Sequence, residues 1–201
     1  MENIKVIVSI FAILLTCVAY IPYIRDTRKG KTTPHAFTWF VWGLSTTLAF
    51  ALQLSAGGGI GSYVTLIIGV AAFSIFGLSL FKGEKHITKS DVVFFILALV
   101  ALGFWVIAEK PIISVILISL TNTLAFAPTV RKSWKKPFSE TLFTYILNCT
   151  RQCLNLLALE NYNLITSLFP ASQILVTLSF IIFILIRRSL QKKEIQNTTR
   201  Y

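Results

Sequence analysis

The chemically capable side chains of this chain gather in one segment, "SETLFTYILNCTRQCLNLLAL", residues 139 to 159, where Thr144, Asn148, Arg151 and Asn155 recur at helical spacing. Positions three and four apart share a helix face, so these four make one polar stripe, with Gln152 on its border. A guanidinium among amides suits the grip of an anion or of a hydrogen-bonding solute, because it offers a planar fork of donors and stays charged. Two readings of Arg151 stand side by side. It binds an anionic group of a solute, or it is a structural charge that snorkels toward Glu160 at the end of its helix. Asn122 and Gln173 extend the same chemistry from other segments, as pocket residues or as hydrogen-bonding glue between helices. Trp42, Ser45 and Tyr145 complete the candidate binding set, Trp42 as a ring on which a solute stacks.

Catalysis is not expected. No nucleophile stands beside a base, and Cys17, Cys149 and Cys153 have no further ligands at metal-binding spacing, so neither metal nor cofactor is implied. "AGGGIG", residues 56 to 61, has the glycine content of a phosphate loop but falls between two apolar runs, where it reads as a short turn.

The medium that surrounds these residues follows from composition. With 55% hydrophobic and only 13% charged residues and a mean hydropathy of +0.73, the chain cannot present a water-soluble globular surface. Apolar runs fall at residues 4–24, 36–55, 61–81, 91–108, 112–130, 140–159 and 164–186. Most reach the roughly 20 residues that a helix needs to cross the hydrocarbon. Backbone in lipid must satisfy its own hydrogen bonds, so the expectation is an all-α membrane protein of seven transmembrane helices. It is a single membrane domain over residues 1–201, with a short cytoplasmic tail at 189–201.

Of 19 basic residues, 16 lie in the loops after the odd-numbered helices or in the tail, among them Arg25, Lys82, Arg131 and Arg187. Lysine and arginine favour the cytoplasmic side, which puts the amino terminus outside and the carboxyl terminus inside. The net charge of +11 is therefore a topology signal, and a nucleic-acid partner is excluded because the basic loops are short. Lipid and a small-molecule solute are the expected partners, a homo-oligomer is left open, and the expected location is a bacterial inner membrane as a multi-pass protein.

Sliding the chain by 106 residues lays "AYIPYIRDTRKGKTTPHAFT" over "AFAPTVRKSWKKPFSETLFT" without a gap, with six identities in twenty positions. Pro22 meets Pro128, Arg25 meets Arg131, Phe37 meets Phe143, and Tyr20 meets the similar Phe126. That offset carries helix 1 onto 5, 2 onto 6 and 3 onto 7, leaving helix 4 as connector. The expected architecture is 3+1+3: parallel repeats over residues 4–83 and 110–188, joined by a linker helix at 89–109. In such proteins the binding site lies where the repeats meet. The polar stripe then opposes Thr38, Trp42, Ser45 and Ala49 of helix 2. Pro22 and Pro128 are candidate hinges by their pairing, and Pro170 breaks helix 7 without a mate.

The topology, with "YIPYIRDT" and "FAPTVRKS" near the cytoplasmic ends of the first helix of each unit, resembles the SWEET and PQ-loop superfamily. Both stretches keep the family's proline, and both have another residue, Tyr23 or Thr129, where the family has glutamine. The resemblance implies a carrier that moves a small polar or anionic solute, such as a sugar, an amino acid or a carboxylate, by alternating access. The same fold also serves KDEL-receptor-like receptors, and a scaffold without a solute is the third expectation.

Overall fold

The computed structural model describes residues 2–30, 34, 36–83, 88–126, 130, 133–134, 137–139 and 142–198. Seven helices account for most of them: α1 (Glu2–Arg28), α2 (Ala36–Ser55), α3 (Ser62–Lys82), α4 (Lys89–Val106), α5 (Pro111–Leu124), α6 (Leu142–Ala158) and α7 (Leu164–Thr198). No strand occurs among the described residues.

Four of the seven are long and apolar enough to cross a membrane: Asn3–Arg28, Ala36–Ser55, Gly59–Lys82 and Leu164–Lys192. The sequence predicts seven crossings, and the other three helices are shorter or less apolar over the described residues. In α4 the apolar run is Val92–Val106, and α5 ends at Leu124, with Ala125 and Phe126 in a turn where the apolar run predicts helix to residue 130. At 1.5 Å per residue the 14 residues of α5 span about 21 Å. Helix α6 is short, with 17 residues, and its polar stripe dilutes its apolar character. Helix α7 runs on through the expected tail to Thr198.

Helix α1 packs against α3 and α6, and α3 packs against α2 in the most extensive of the helix contacts. Helix α7 packs against α5 and α6, while α4 lies on α5 and α2. Two apolar cores result. One joins Leu48 and Leu52 of α2, Ala101 of α4, Ile118 of α5 and Phe169 of α7; the other joins Ala12 of α1, Val64 and Ile68 of α3, and Leu154 of α6. On the far side of α1, Ile4, Ile7, Phe11, Leu14, Val18 and Ile21 are exposed at alternating spacings of three and four. They form a single stripe suited to acyl chains.

At one end of the bundle the α2–α3 and α6–α7 turns are fastened together. Ile60 donates its backbone N–H to Glu160 Oε1 at 3.0 Å. Asn161 donates to Gly57 O at 2.9 Å and Asn163 to Ala56 O at 3.0 Å. Lys5 of α1 donates to the carbonyls of Leu159 (2.5 Å) and Glu160 (3.0 Å), the natural place for a cation at a helix carboxyl end. The "AGGGIG" run makes this possible: Gly59 has φ +60°, a Cβ there would lie 1.9 Å from Glu160 Cδ, and one on Gly61 would lie 2.5 Å from Ala158 C. The turn expected from sequence is thus also a close-packed contact between distant segments. At the opposite, basic end, Lys82 donates to Arg28 O, Arg187 to Trp134 O and Arg188 to Pro137 O.

The helix α7 runs unbroken through Pro170. Proline has no N–H for the carbonyl four residues earlier. That carbonyl is Thr166 O, and the fully buried Gln53 of α2 donates to it at 2.9 Å. Helix α1 likewise continues through position 22, and Pro128 lies outside the described residues. The expected break in helix 7 is therefore stapled, so Pro170 is a poor free hinge.

Gly59→Ala combines a strained φ with a clash, and it should lower the unfolding free energy in detergent by about 1–3 kcal/mol. Gly77, inside α3 with nothing within 4 Å of an added Cβ, is the control. Gly77→Ala should be neutral or stabilise by up to about 1 kcal/mol. Equal midpoints for the two variants in thermal unfolding would show that the turn-to-turn contact carries no stability.

Candidate functional site

A cavity of about 110 Å³ lies among the helices. Every helix but α4 contributes to its lining. From α6 come Asn148, Arg151 and Gln152, from α5 Asn122, and from α7 Phe169, Gln173 and Thr177. Tyr20 of α1, Trp39, Trp42 and Thr46 of α2, and Ile68 and Ala72 of α3 close the other side, with Phe126 just beyond α5.

Six of the nine binding residues expected from sequence therefore line one space: Trp42, Asn122, Asn148, Arg151, Gln152 and Gln173. The remaining three stand behind the wall. Ser45, fully buried, donates to Val41 O at 2.7 Å and accepts from Asn122 Nδ2 at 3.1 Å. Asn155, also fully buried, donates to Thr65 Oγ1 of α3 at 2.9 Å and to Gln152 Oε1 at 3.3 Å. Tyr145 packs edge-on against Phe180, with ring centroids 4.6 Å apart, and against Phe126 at 6.0 Å. Their role is to fix the lining residues: Ser45 orients Asn122, and Asn155 orients Gln152.

Arg151 is the exceptional member. It is 5% exposed, and its Nε and Nη1 have no hydrogen-bond partner among the described residues. Its guanidinium carbon lies 5.4 Å from the centre of the Tyr20 ring, an attraction worth up to about 2 kcal/mol when desolvated. A charge buried at the centre of a bilayer costs on the order of 3 kcal/mol or more. The ring therefore offsets only part of the cost. Glu160 does not supply the rest: its carboxylate is committed to the N–H of Ile60 at the fastened end. Nine residues separate the two positions, about 13 Å of helical rise.

The aromatic residues form a second wall. Trp39 meets Trp42 with centroids 5.2 Å apart, Tyr23 at 5.2 Å and Tyr20 at 6.2 Å. The sequence favours Trp42 over Trp39 as a pocket residue, yet both line the cavity. Tyr20, Thr46, Phe126 and Thr177 were not among the expected site residues. A signal for three of them exists in the 106-residue offset, which pairs Tyr20 with Phe126 and Thr46 with Gln152, as it pairs Trp42 with Asn148. All six members of these pairs line the cavity. Thr177 has no such signal.

Among the described residues no group of three or more His, Cys, Asp or Glu is gathered that could hold a metal ion. The cavity presents one cation, several amides and a wall of rings, a set suited to recognising a solute by charge, hydrogen bonds and stacking. Neither the models of known protein families, nor the curated proteins, nor the solved structures contain a match to this chain.

Proposed function

We propose that the chain is a membrane carrier for a small polar or anionic solute, built from two three-helix units that rock about the central cavity. The observation that carries this reading is Arg151, a buried cation on the cavity wall whose cost nothing in the fold fully offsets. Intramembrane charges are kept where they meet a substrate or an ion.

The helix packing supports the 3+1+3 plan. Pairs α1–α3 and α2–α3 of the first unit correspond to α5–α7 and α6–α7 of the second, and the cross-contacts α1–α6 and α3–α6 correspond to α5–α2 and α7–α2. The linker α4 contacts one helix of each unit, α2 and α5. That correspondence, with the paired proline motifs, is also what supports a place beside the SWEET and PQ-loop superfamily. Parallel repeats around a midplane site are an established transporter plan.

The basic end is the cytoplasmic one in this reading, and the fastened end faces outward. Lys5, Glu160, Asn161 and Asn163 then hold an outer gate shut. The lining residues Tyr20, Trp39, Phe126 and Thr177 lie between Arg151 and the basic end, so the geometry suits a state closed to the outside. Opening requires those turn contacts to part, and the bend must come from elements other than the stapled Pro170.

Three measurements test the proposal. Cysteines introduced at Tyr162 and at Lys29, on a chain with Cys17, Cys149 and Cys153 replaced by Ala, should react with an impermeant reagent in whole cells only at position 162. Labelling of both from one side contradicts the topology. Arg151→Gln should raise the stability of the solute-free protein by about 1–2 kcal/mol, the difference between the burial cost and the ring contact; a loss of stability would assign Arg151 to structure. In proteoliposomes the parent should mediate solute counterflow that Arg151→Gln reduces about tenfold or more. Saturable binding without counterflow would instead favour a receptor.

A further inference from the structure

We infer that the solute is a small monocarboxylate, held with its carboxylate on Arg151 and its carbon body against the rings of α1 and α2. This rests on the carrier reading for the location of the site and goes beyond it in naming the chemical class.

Charge balance selects the class first. Among the described residues Arg151 is the one cation in the lining, and no Asp or Glu lines it. A monoanion makes the loaded cavity neutral. A dicarboxylate leaves a second charge buried without a partner, and a zwitterionic amino acid brings an ammonium that finds no carboxylate and adds a cation beside Arg151.

The hydrogen-bond directions agree. Asn155 donates to Gln152 Oε1, which leaves Gln152 Nε2 as the free end of that amide. Gln173 Nε2 has no partner among the described residues. Together with Arg151 these are donors, the complement of a carboxylate's acceptor-only oxygens. Asn122 is opposite in sense: its Nδ2 already donates to Ser45 Oγ and Ile118 O, so only its Oδ1 remains, an acceptor for a hydroxyl on the solute. The donors come from α6 and α7 while Tyr20, Trp39 and Trp42 come from α1 and α2. The site therefore has a polar half and an aromatic half, and it fits a molecule with a charged head and an apolar body.

Size supplies the upper limit. An apolar cavity of about 150 Å³ takes up benzene, and this one measures about 110 Å³. A hexose is too large and too polar all round; a carboxylate of three or four carbons is of the right scale.

The purified protein in detergent is titrated with propionate, lactate, propionamide, glucose, alanine and succinate while thermal unfolding is followed, with chloride as the control for ionic strength. Propionate and lactate should raise the midpoint in proportion to the logarithm of their concentration, lactate more if Asn122 accepts its hydroxyl. Arg151→Gln should weaken the propionate response about tenfold or more and leave that to propionamide little changed. Arg151→Lys, which keeps the charge but not the planar fork, should fall between. A response to glucose, alanine or succinate equal to that of propionate overturns the inference and leaves the carrier reading standing. Propionate stabilisation without counterflow in proteoliposomes upholds the inference and removes the carrier reading. No response to any monocarboxylate, with the parent folded, overturns it outright.

Discussion

A single charge buried in an apolar bundle governs this molecule. A guanidinium buried among apolar side chains lacks a counter-ion, and at a bilayer centre that costs on the order of 3 kcal/mol, so the charge of Arg151 has to be met by neighbours or by a ligand. The fold meets it only in part, through the Tyr20 ring at 5.4 Å. Other features read as consequences. The amides around it are held by fully buried partners, Ser45 for Asn122 and Asn155 for Gln152. In the carrier reading the polar network is therefore oriented before a solute arrives, which reduces the ordering cost of binding. A site of this kind is kept at the expense of stability, because the same position filled by a neutral side chain would suit the bundle better.

Association of helices in lipid draws little from the hydrophobic effect, so packing and hydrogen bonds decide where helices meet. The fastened end uses backbone carbonyls, three asparagine or glutamate side chains and glycines that allow contact without a Cβ. Gln53 adds a further tie by taking the carbonyl that Pro170 leaves without a donor. At the basic end, bridges between distant segments among the described residues include those of Lys82, Arg187 and Arg188. In the carrier reading the ties at the fastened end make the outer gate costly to open.

Much of this was legible in the residues and some was not, for physical reasons. Helix existence follows from apolar runs, and all seven were found. Four of them are long and apolar enough to cross a membrane, while α4, α5 and α6 are shorter in their apolar part, because apolar character alone sets no helix end and a polar stripe interrupts it. Two residues of the α6 stripe, Asn148 and Arg151, line the cavity, yet periodicity could not separate Arg151 from Asn155, which turns to Thr65 instead. Neighbouring helices on two sides compete for one face, and spacing does not say which wins. Glu160 was a plausible partner for Arg151 by proximity in sequence; the rise of the helix and the N–H of Ile60 take it elsewhere. The glycine run gave a turn, but its contact with residues about a hundred positions away is a tertiary fact that local sequence does not encode.

The central claim is that the charge of Arg151 is not neutralised within the protein. A double-mutant cycle of Arg151→Gln and Glu160→Gln, followed by unfolding of the solute-free protein, measures whether these two groups interact. The account predicts additive effects, with a coupling energy within about 0.5 kcal/mol of zero. A coupling of about 1 kcal/mol or more would contradict it and make Arg151 half of a structural ion pair.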